Sequence, residues 1–419
     1  MKGAFIGGAV LLLIVLGVPL FVLLGSLSIG LFAVNELLPP ESLAEALIKY
    51  MMEVVAKPAL LAIPLYILLG AVMSKGQTAR ALTDFMEALV GWVPGGLAAA
   101  TILSCMAFGA ISGSSPVTMV AVGSILYPAM QRAGYPDNLA LGAVVVGGSL
   151  GILIPPSIPM IVYGIMAKAN IEQLFLASVK PGLWAGLGMV AVAVGWGTLA
   201  KLPRQRFALG VAWRTFVRAL PALGLPLLVL GGIYGGLYNI TEAAAVAAAY
   251  VLLLELVLYR QLRWSVLRDA LSEAATALGS IMAIVLMAAL LSYFLVLAEL
   301  PFWVQEWVEG QALSPRGYLL VVMGMLLVAG MFMDTLSAIL VLVPALLPAA
   351  QALGVPPVLL GVLFIVTLEI GYITPPVGLN LFVAMGYFHR PMGAVVRASW
   401  PYMLILVAVA LGLAMWGEA

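Results

Sequence analysis

Apolar residues follow one another almost without pause from Ala4 to the C-terminus, and short polar clusters cut them into lengths. A helix needs about 20 mostly apolar residues to cross a bilayer, and this chain supplies such stretches in series. The pattern predicts an all-α, polytopic membrane protein, embedded rather than anchored. Residues 4–33 read as one kinked span or as two short ones broken near Gly25 to Gly30. A cleaved signal peptide is the competing reading of Met1 to Gly25. The apolar run from Leu11 nevertheless passes Pro19 and reaches Leu31 with no small-residue cleavage pattern, so it is read as a retained span.

Composition sharpens this picture. Of 419 residues 64% are hydrophobic and 9% charged, against roughly a quarter charged in an average soluble domain. A net charge of +1, without basic clusters interleaved with aromatics, gives no reason to expect nucleic acid. The lone Cys105 reads as a small buried apolar residue. The sole histidine, His389, adjoins Arg390 at the end of an apolar segment and reads as a solvated interfacial side chain. No histidine and cysteine cluster has metal-site spacing, and no organic cofactor is expected.

Charge orients the chain. Lys75, Arg80, Arg132, Lys201, Arg204, Arg206, Arg214, Arg218, Arg260, Arg263, Arg268, Arg390 and Arg397 fall in groups and account for 13 of the 19 basic residues. The positive-inside rule places these groups in the cytoplasm, and the acidic loop Glu299 to Glu309 on the other side. Alternation of sides then works only if the apolar stretches at about 93–130 and 317–350 enter and leave on one face, as re-entrant hairpins. The first opens to the cytoplasm and the second to the periplasm. The nine tryptophans, Trp184 and Trp196 among them, read as interface markers near segment ends.

A repeat underlies the pattern. Pro128-Ala129-Met130-Gln131-Arg132-Ala133-Gly134-Tyr135-Pro136 returns as Pro348-Ala349-Ala350-Gln351-Ala352-Leu353-Gly354-Val355-Pro356, an offset of 348 − 128 = 220. At the same offset Gly151 falls on Gly371, and Pro155-Pro156 on Pro375-Pro376. With the hairpins on opposite faces, the two copies are expected to have inverted topology, as in many secondary transporters.

Each copy carries a polar hairpin tip, Gly109 to Pro116 and Asp334 to Ser337, and a helix interrupted by the paired prolines. Paired prolines remove backbone donors and leave carbonyls free. An unsatisfied backbone group in hydrocarbon costs several kcal/mol, so such breaks persist where they line a cavity or meet a ligand. The freed carbonyls, the hydroxyls of Ser112, Ser114, Ser115, Thr335, Ser337 and Thr374 and the Asn380 amide form an all-oxygen set suited to hard cations. Half-helix N-termini after the tips and breaks suit a carboxylate, so one midplane site holds cations and a small organic anion together. Ser112, Gly113, Ser114, Pro155, Pro156, Ser157, Pro375 and Pro376 are the candidates for the anion. Asp334 is explained equally by helix capping and by cation binding, and the second role is the one taken. Glu369, two residues before the second break, is a secondary candidate for proton transfer. Thr241-Glu242 reads as a helix start. The basic run from Lys201 to Arg218 reads as a topology signal meeting lipid headgroups.

The motifs Phe108-Gly109-Ala110-Ile111-Ser112-Gly113-Ser114-Ser115, Leu150-Gly151-Ile152-Leu153-Ile154-Pro155-Pro156-Ser157-Ile158-Pro159 and Thr374-Pro375-Pro376-Val377-Gly378-Leu379-Asn380 closely resemble the large membrane subunit of tripartite ATP-independent periplasmic (TRAP) transporters. The likeness runs over nearly the whole chain, although Ile240 stands where a proline is usual and Ser149 where a threonine is. The resemblance implies the fold of the ion-transporter superfamily, elevator type, in a multi-pass protein of a bacterial or archaeal cytoplasmic membrane. It implies two partners, a small four-helix membrane subunit and a periplasmic substrate-binding protein, and uptake of carboxylate-bearing solutes on a sodium gradient. The implied transport domain is 93–180 with 310–395. The remainder, 1–92, 181–309 and the C-terminal helix 396–419, is scaffold. By motif position one sodium falls to Ser112, Ser114, Ser115 and Gly151 with the first break. A second falls to Asp334, Thr335, Ser337, Gly371, Thr374 and Asn380. Rival readings are a stand-alone carrier or exchanger of the same superfamily, a passive channel, and an intramembrane hydrolase built on the Ser112 to Ser115 tip. The last lacks a base, since His389 is expected at the cytoplasmic edge.

Overall fold

The computed structural model describes residues 18–417 apart from Glu36, Leu38, Gln261 and Leu262. Every regular element among the described residues is helical. The chain opens with α1 (Leu20–Asn35), α2 (Pro40–Val55), a short 3-10 turn and α3 (Ala62–Lys75), then α4 (Thr78–Val90). A hairpin follows, α5 (Gly96–Ser112) and α6 (Ser115–Arg132), and then an interrupted helix, α7 (Asp137–Leu153) and α8 (Ile158–Ala167), bent by 40° at its break. Three long helices come next, α9 (Ile171–Leu199), α10 (Leu209–Tyr234) and α11 (Ile240–Leu253). Beyond them lie α12 (Trp264–Leu297), α13 (Leu300–Gly310), a second hairpin of α14 (Pro315–Phe332) and α15 (Thr335–Ala352), a second interrupted helix of α16 (Pro357–Tyr372) and α17 (Leu379–Phe388), and α18 (Met392–Trp416). Among the described residues eight helices are long and apolar enough to cross a membrane, nine if α7 with α8 counts as one span.

Local chemistry sets the boundaries. Asn170 caps α9 by accepting from the Gln173 N–H, and Ser314 caps α14 by accepting from Gly317. Asn239 and Glu242 form a capping box at the start of α11. The cap there is Asn239, not Thr241, whose hydroxyl reaches the Pro58 carbonyl at 3.1 Å instead.

Shifting the first copy by 220 residues superposes element bounds, not only prolines. Residues 96–112 become 316–332 beside α14, 115–132 become 335–352, the bounds of α15, and 137–153 become 357–373 beside α16. The correspondence continues backwards, where α4 shifts to 298–310 over α13, α3 shifts to 282–295 within the single 34-residue α12, and α2 shifts to 260–275, overlapping its first part. Both copies join the first hairpin arm to the interrupted helix through glycine. A methyl group added at Gly109 would lie 2.5 Å from the Gly151 Cα, and one at Gly371 would lie 2.6 Å from the Gly330 Cα.

Helices α7 and α16 are apolar on every face, and nearly every residue of each is buried. They form the middle of the main core, whereas only 33% of the spanning window of α9 and of α10 is buried, leaving those helices for lipid. Two contacts fix the relative course of the interrupted helices. Near the end of α8, the Tyr163 hydroxyl donates to the Pro357 carbonyl at the start of α16, 2.7 Å away. After the end of α17, Arg390 reaches Asp137 at the start of α7, 3.0 Å away, and its Nε donates to the Tyr127 hydroxyl at 2.9 Å. With each end of one interrupted helix beside the opposite end of the other, the two run antiparallel. The Arg390 and Asp137 side chains are 36% and 39% exposed, so the pair contributes about 1 kcal/mol at most and acts mainly by fixing position.

Two expectations need correction. Helix α1 runs unbroken through Gly25 to Gly30; the part of that segment before residue 18 lies outside the described residues. Gly25 is instead a seat for Met287 of α12, whose sulfur would lie 2.7 Å from an added methyl. Trp184 sits in the middle of α9, 63% exposed, rather than at a segment end. The divisions at 180 and 395 fall inside the continuous helices α9 and α18.

Gly330→Val is expected to lower stability by about 3 kcal/mol, the upper range for overpacking against backbone that cannot retreat. Gly324→Ala on the same helix, with nothing within 4 Å of its added methyl, is the control and should leave the melting temperature of the purified protein unchanged. A second expectation concerns Glu255, fully buried just past α11, which accepts from Gln77 N (3.0 Å), Thr78 N (2.9 Å) and Thr78 Oγ1 (2.6 Å) at the start of α4. Glu255→Ala should cost about 1.5–3 kcal/mol, as loss of hydrogen bonds to a charged group does. An unchanged melting curve would dismiss this capping role.

Candidate functional site

The first tip forms because α5 ends at Ser112 and Gly113 takes a left-handed conformation, φ +61°, that glycine adopts without strain. Gly113 then lies against the first break, where an added methyl would stand 3.0 Å from the Pro156 carbonyl oxygen. The Ser114 carbonyl accepts from the Thr118 hydroxyl at 2.8 Å, and Ser112 Oγ lies 2.8 Å from the same hydroxyl. Gly151 presses its bare face on this cluster, since a methyl there would lie 2.4 Å from Thr118 Oγ1 and 2.7 Å from the Ser114 oxygen. Ser112, Gly113, Ser114, Gly151 and Pro156 are thus brought together, and Ser157 follows with a buried hydroxyl that has no partner. Thr118 was not singled out from the sequence. Its signal is the spacing, one helical turn after Ser114 on the same face.

The second tip turns at Met333 and Asp334. Asp334 caps α15, accepting from Leu336 N at 3.0 Å and Ser337 N at 3.1 Å, and the Ser337 hydroxyl donates to its other oxygen. Capping, one of two roles the sequence left equal, is therefore visible here. The second break is tied to this hairpin by Gly378 N, which donates to the Met331 carbonyl at 3.0 Å. Thr335 Oγ1 is buried without a partner. Thr374 Oγ1 donates back to the Ile370 carbonyl at 2.6 Å and lies 3.5 Å from Met403 Sδ on α18. Both double prolines, Pro155-Pro156 and Pro375-Pro376, carry a cis peptide bond.

The two copies meet directly at one point: Asn380 Nδ2 of the second donates to Ser115 Oγ of the first at 2.5 Å. Ser115 Oγ in turn donates to Glu369 Oε2 at 3.2 Å. The reason is that α6 of the first copy packs against α17 of the second, so the first residue of α6 meets the start of α17.

Between the tips lies a cavity of about 260 Å³. It is lined by Gly113, Ser114, Ser115 and Pro116 from the first tip, by Asp334, Thr335 and Leu336 from the second, by Glu369 and Tyr372, and by Ile281 and Ile284 of α12. No lysine, arginine or histidine is among the described residues lining it. A neighbouring cavity of about 110 Å³ shares Ser114, Ile158 and Ile281 and runs toward Glu273, which pairs with Lys75 at 2.9 Å. Another, of about 270 Å³, shares Asp334 and Leu379 and runs toward Val18, Phe332 and Val377. The space between the tips thus adjoins open volume on two sides. His389 lies beyond α17, beside the Arg390 and Asp137 pair, and not at the tips.

The unpartnered oxygens of Ser157, Thr335, Glu369 and Asn380 can all accept in buried positions, the two hydroxyls being able to donate as well, and an oxygen-coordinated cation fits such a set. Asn380 and Glu369 can hold it by side-chain oxygen alone, and Ser114 by its carbonyl.

The family model described as tripartite ATP-independent periplasmic transporter, DctM component, matches residues 8–418. The chain is 43% identical over 384 residues to the C4-dicarboxylate TRAP transporter large permease protein DctM of Pseudomonas aeruginosa, covering 91% of this chain and 88% of that protein. It is 36% identical over 400 residues to the ectoine TRAP transporter large permease protein TeaC of Halomonas elongata, covering 95% and 93%. In fold it resembles the Alcanivorax borkumensis YdaH transporter, with a TM-score of 0.63 over 97% of this chain and 98% of that one at 16% identity. A helical, many-spanning body whose tips and double-proline breaks enclose one cavity, matched along nearly its full length, belongs to the TRAP transporter family as a large membrane subunit, a multi-pass protein of the inner membrane.

Proposed function

We propose that this subunit imports a small organic anion by sodium symport, taking it from a periplasmic binding protein and working beside a small membrane subunit. The observation that carries the reading is the cavity between the tips. It is lined by two carboxylates, Asp334 and Glu369, and by no basic side chain among the described residues. An anion entering there meets like charge in a medium of low dielectric, where repulsion is weakly screened. It becomes stable only when cations enter with it, and that requirement is coupling. Sodium suits the site because its ligands are hydroxyl, amide, carboxylate and backbone oxygens.

Movement follows from packing. The two hairpins and two interrupted helices pack directly on one another, which favours their travelling as a body in an elevator motion. The antiparallel course of the interrupted helices supports inverted repeats, and so a cavity that faces either side in turn. Relatives of the chain are named for C4-dicarboxylates and for ectoine, so the class proposed is the carboxylate-bearing solute rather than one compound.

Reconstitution with its two partners, given a panel of carboxylates, should show saturable uptake against a gradient that stops when inward sodium is replaced by choline. Flux without saturation or accumulation would make the protein a channel. Uptake undiminished without the binding protein would make it a stand-alone carrier. Ser112→Ala should raise the sodium concentration for half-maximal uptake by about tenfold, a loss of about 1.4 kcal/mol. An unaltered sodium dependence would remove the first tip from the ion site.

A further inference from the structure

The hydrogen bonds around Ser115 leave a remainder that neither tip explains. Glu369 is 1% exposed in the buried middle of the second copy, Asn380 is fully buried at the start of α17, and Ser115 is 1% exposed at the start of α6. All three meet at one hydroxyl. Ser115 Oγ accepts from Asn380 Nδ2 and donates to Glu369 Oε2, which uses its only proton. Glu369 Oε1 and Asn380 Oδ1 are then left buried with no hydrogen-bond partner.

A carboxylate oxygen and an amide oxygen are acceptors only, and leaving both unpaired in a dry interior costs about 1–3 kcal/mol each, more for the charged group. The nearby groups offer no relief. The Tyr372 hydroxyl and the Asp334 carboxylate are the other titratable groups lining the cavity, and Asp334 brings a second negative charge. A buried carboxyl group beside a second unpaired oxygen has the chemistry of a cation site.

We propose that Glu369, Asn380 and Ser115 bind one sodium ion at the junction of the two copies, where the first tip meets the second break. Glu369 supplies the charge, Asn380 Oδ1 a neutral oxygen and Ser115 Oγ its remaining lone pair. Because Ser115 belongs to the first copy and the other two ligands to the second, the ion bridges the halves of the core. It also cancels the Glu369 charge at the wall of the cavity, so that a carboxylate solute can enter. The inference deepens the sodium-coupled reading above and rests on it for the identity of the ion.

Equilibrium dialysis of the purified full-length protein against radioactive sodium, with choline replacing it at constant ionic strength, gives ions bound per chain and their affinity. Glu369→Gln is nearly isosteric and removes only the charge. It should bind one ion fewer, or lose about tenfold or more in affinity for one ion, since ligand charge sets the strength of such sites. Glu369→Asp retains the charge on a shorter arm and should keep the ion count with weaker binding. If Glu369→Gln binds sodium as the parent does, the junction site is overturned while sodium coupling stands. If the parent itself shows no saturable sodium binding, the coupled reading falls and this site with it. Should Glu369→Gln fail to give a monodisperse protein, Glu369→Asp decides: weakened sodium binding supports the site, and unchanged binding overturns it.

Discussion

A bilayer interior offers no water to a backbone N–H or C=O that its own helix leaves unpaired, and the architecture of this chain is arranged around that fact. Four interruptions, two at hairpin tips and two at double prolines, leave eight helix ends inside the protein. Each is covered by another. Gly113 lies on the Pro156 carbonyl, Gly378 donates to Met331, and Gly151 fits beneath the Ser114 carbonyl and the Thr118 hydroxyl. Breaks of this kind are tolerated because they are stacked against one another, and what they cannot satisfy among themselves becomes ligand chemistry.

That chemistry is lopsided. Around the central cavity the polar side chains are hydroxyls and two carboxylates, and the buried atoms left without partners are oxygens. Several donors are used locally: Ser337 and two N–H groups serve Asp334, Thr118 serves the Ser114 carbonyl, and Thr374 serves Ile370, while the buried Ser157 and Thr335 hydroxyls remain unpartnered. A surplus of acceptors without a basic residue makes the cavity a poor host for an anion by itself and a good one for an anion accompanied by cations. Coupling in this reading is a consequence of charge balance and needs no separate device.

Much of the fold was legible because membrane residence writes itself in composition and because prolines and glycines mark where helices stop. The offset of 220 rests on a few prolines and glycines, and the structure extends it to element bounds from α4 to α8. The earlier part was hidden because α2 and α3, separate helices in one copy, match the single α12 in the other. The supposed break at Gly25 to Gly30 failed for a simple reason. One glycine costs a helix only about 1 kcal/mol, which packing readily offsets, and Met287 packs at Gly25. Trp184 failed because belt enrichment is a tendency of position, while α9 is 29 residues long and exposes this face along its middle.

The sequence by itself determined the solvent, the helical class, the duplication, the two polar tips and the two breaks, since each depends on residue type and local spacing. It also named nearly every oxygen that lines the site. Only the tertiary structure decided which of those oxygens meet. Ser115 and Asn380 are 265 residues apart, and no periodicity links them. Their pairing, and the exposure of Glu369 to both, arises from packing one copy against the other, an interaction across the chain that local pattern does not encode.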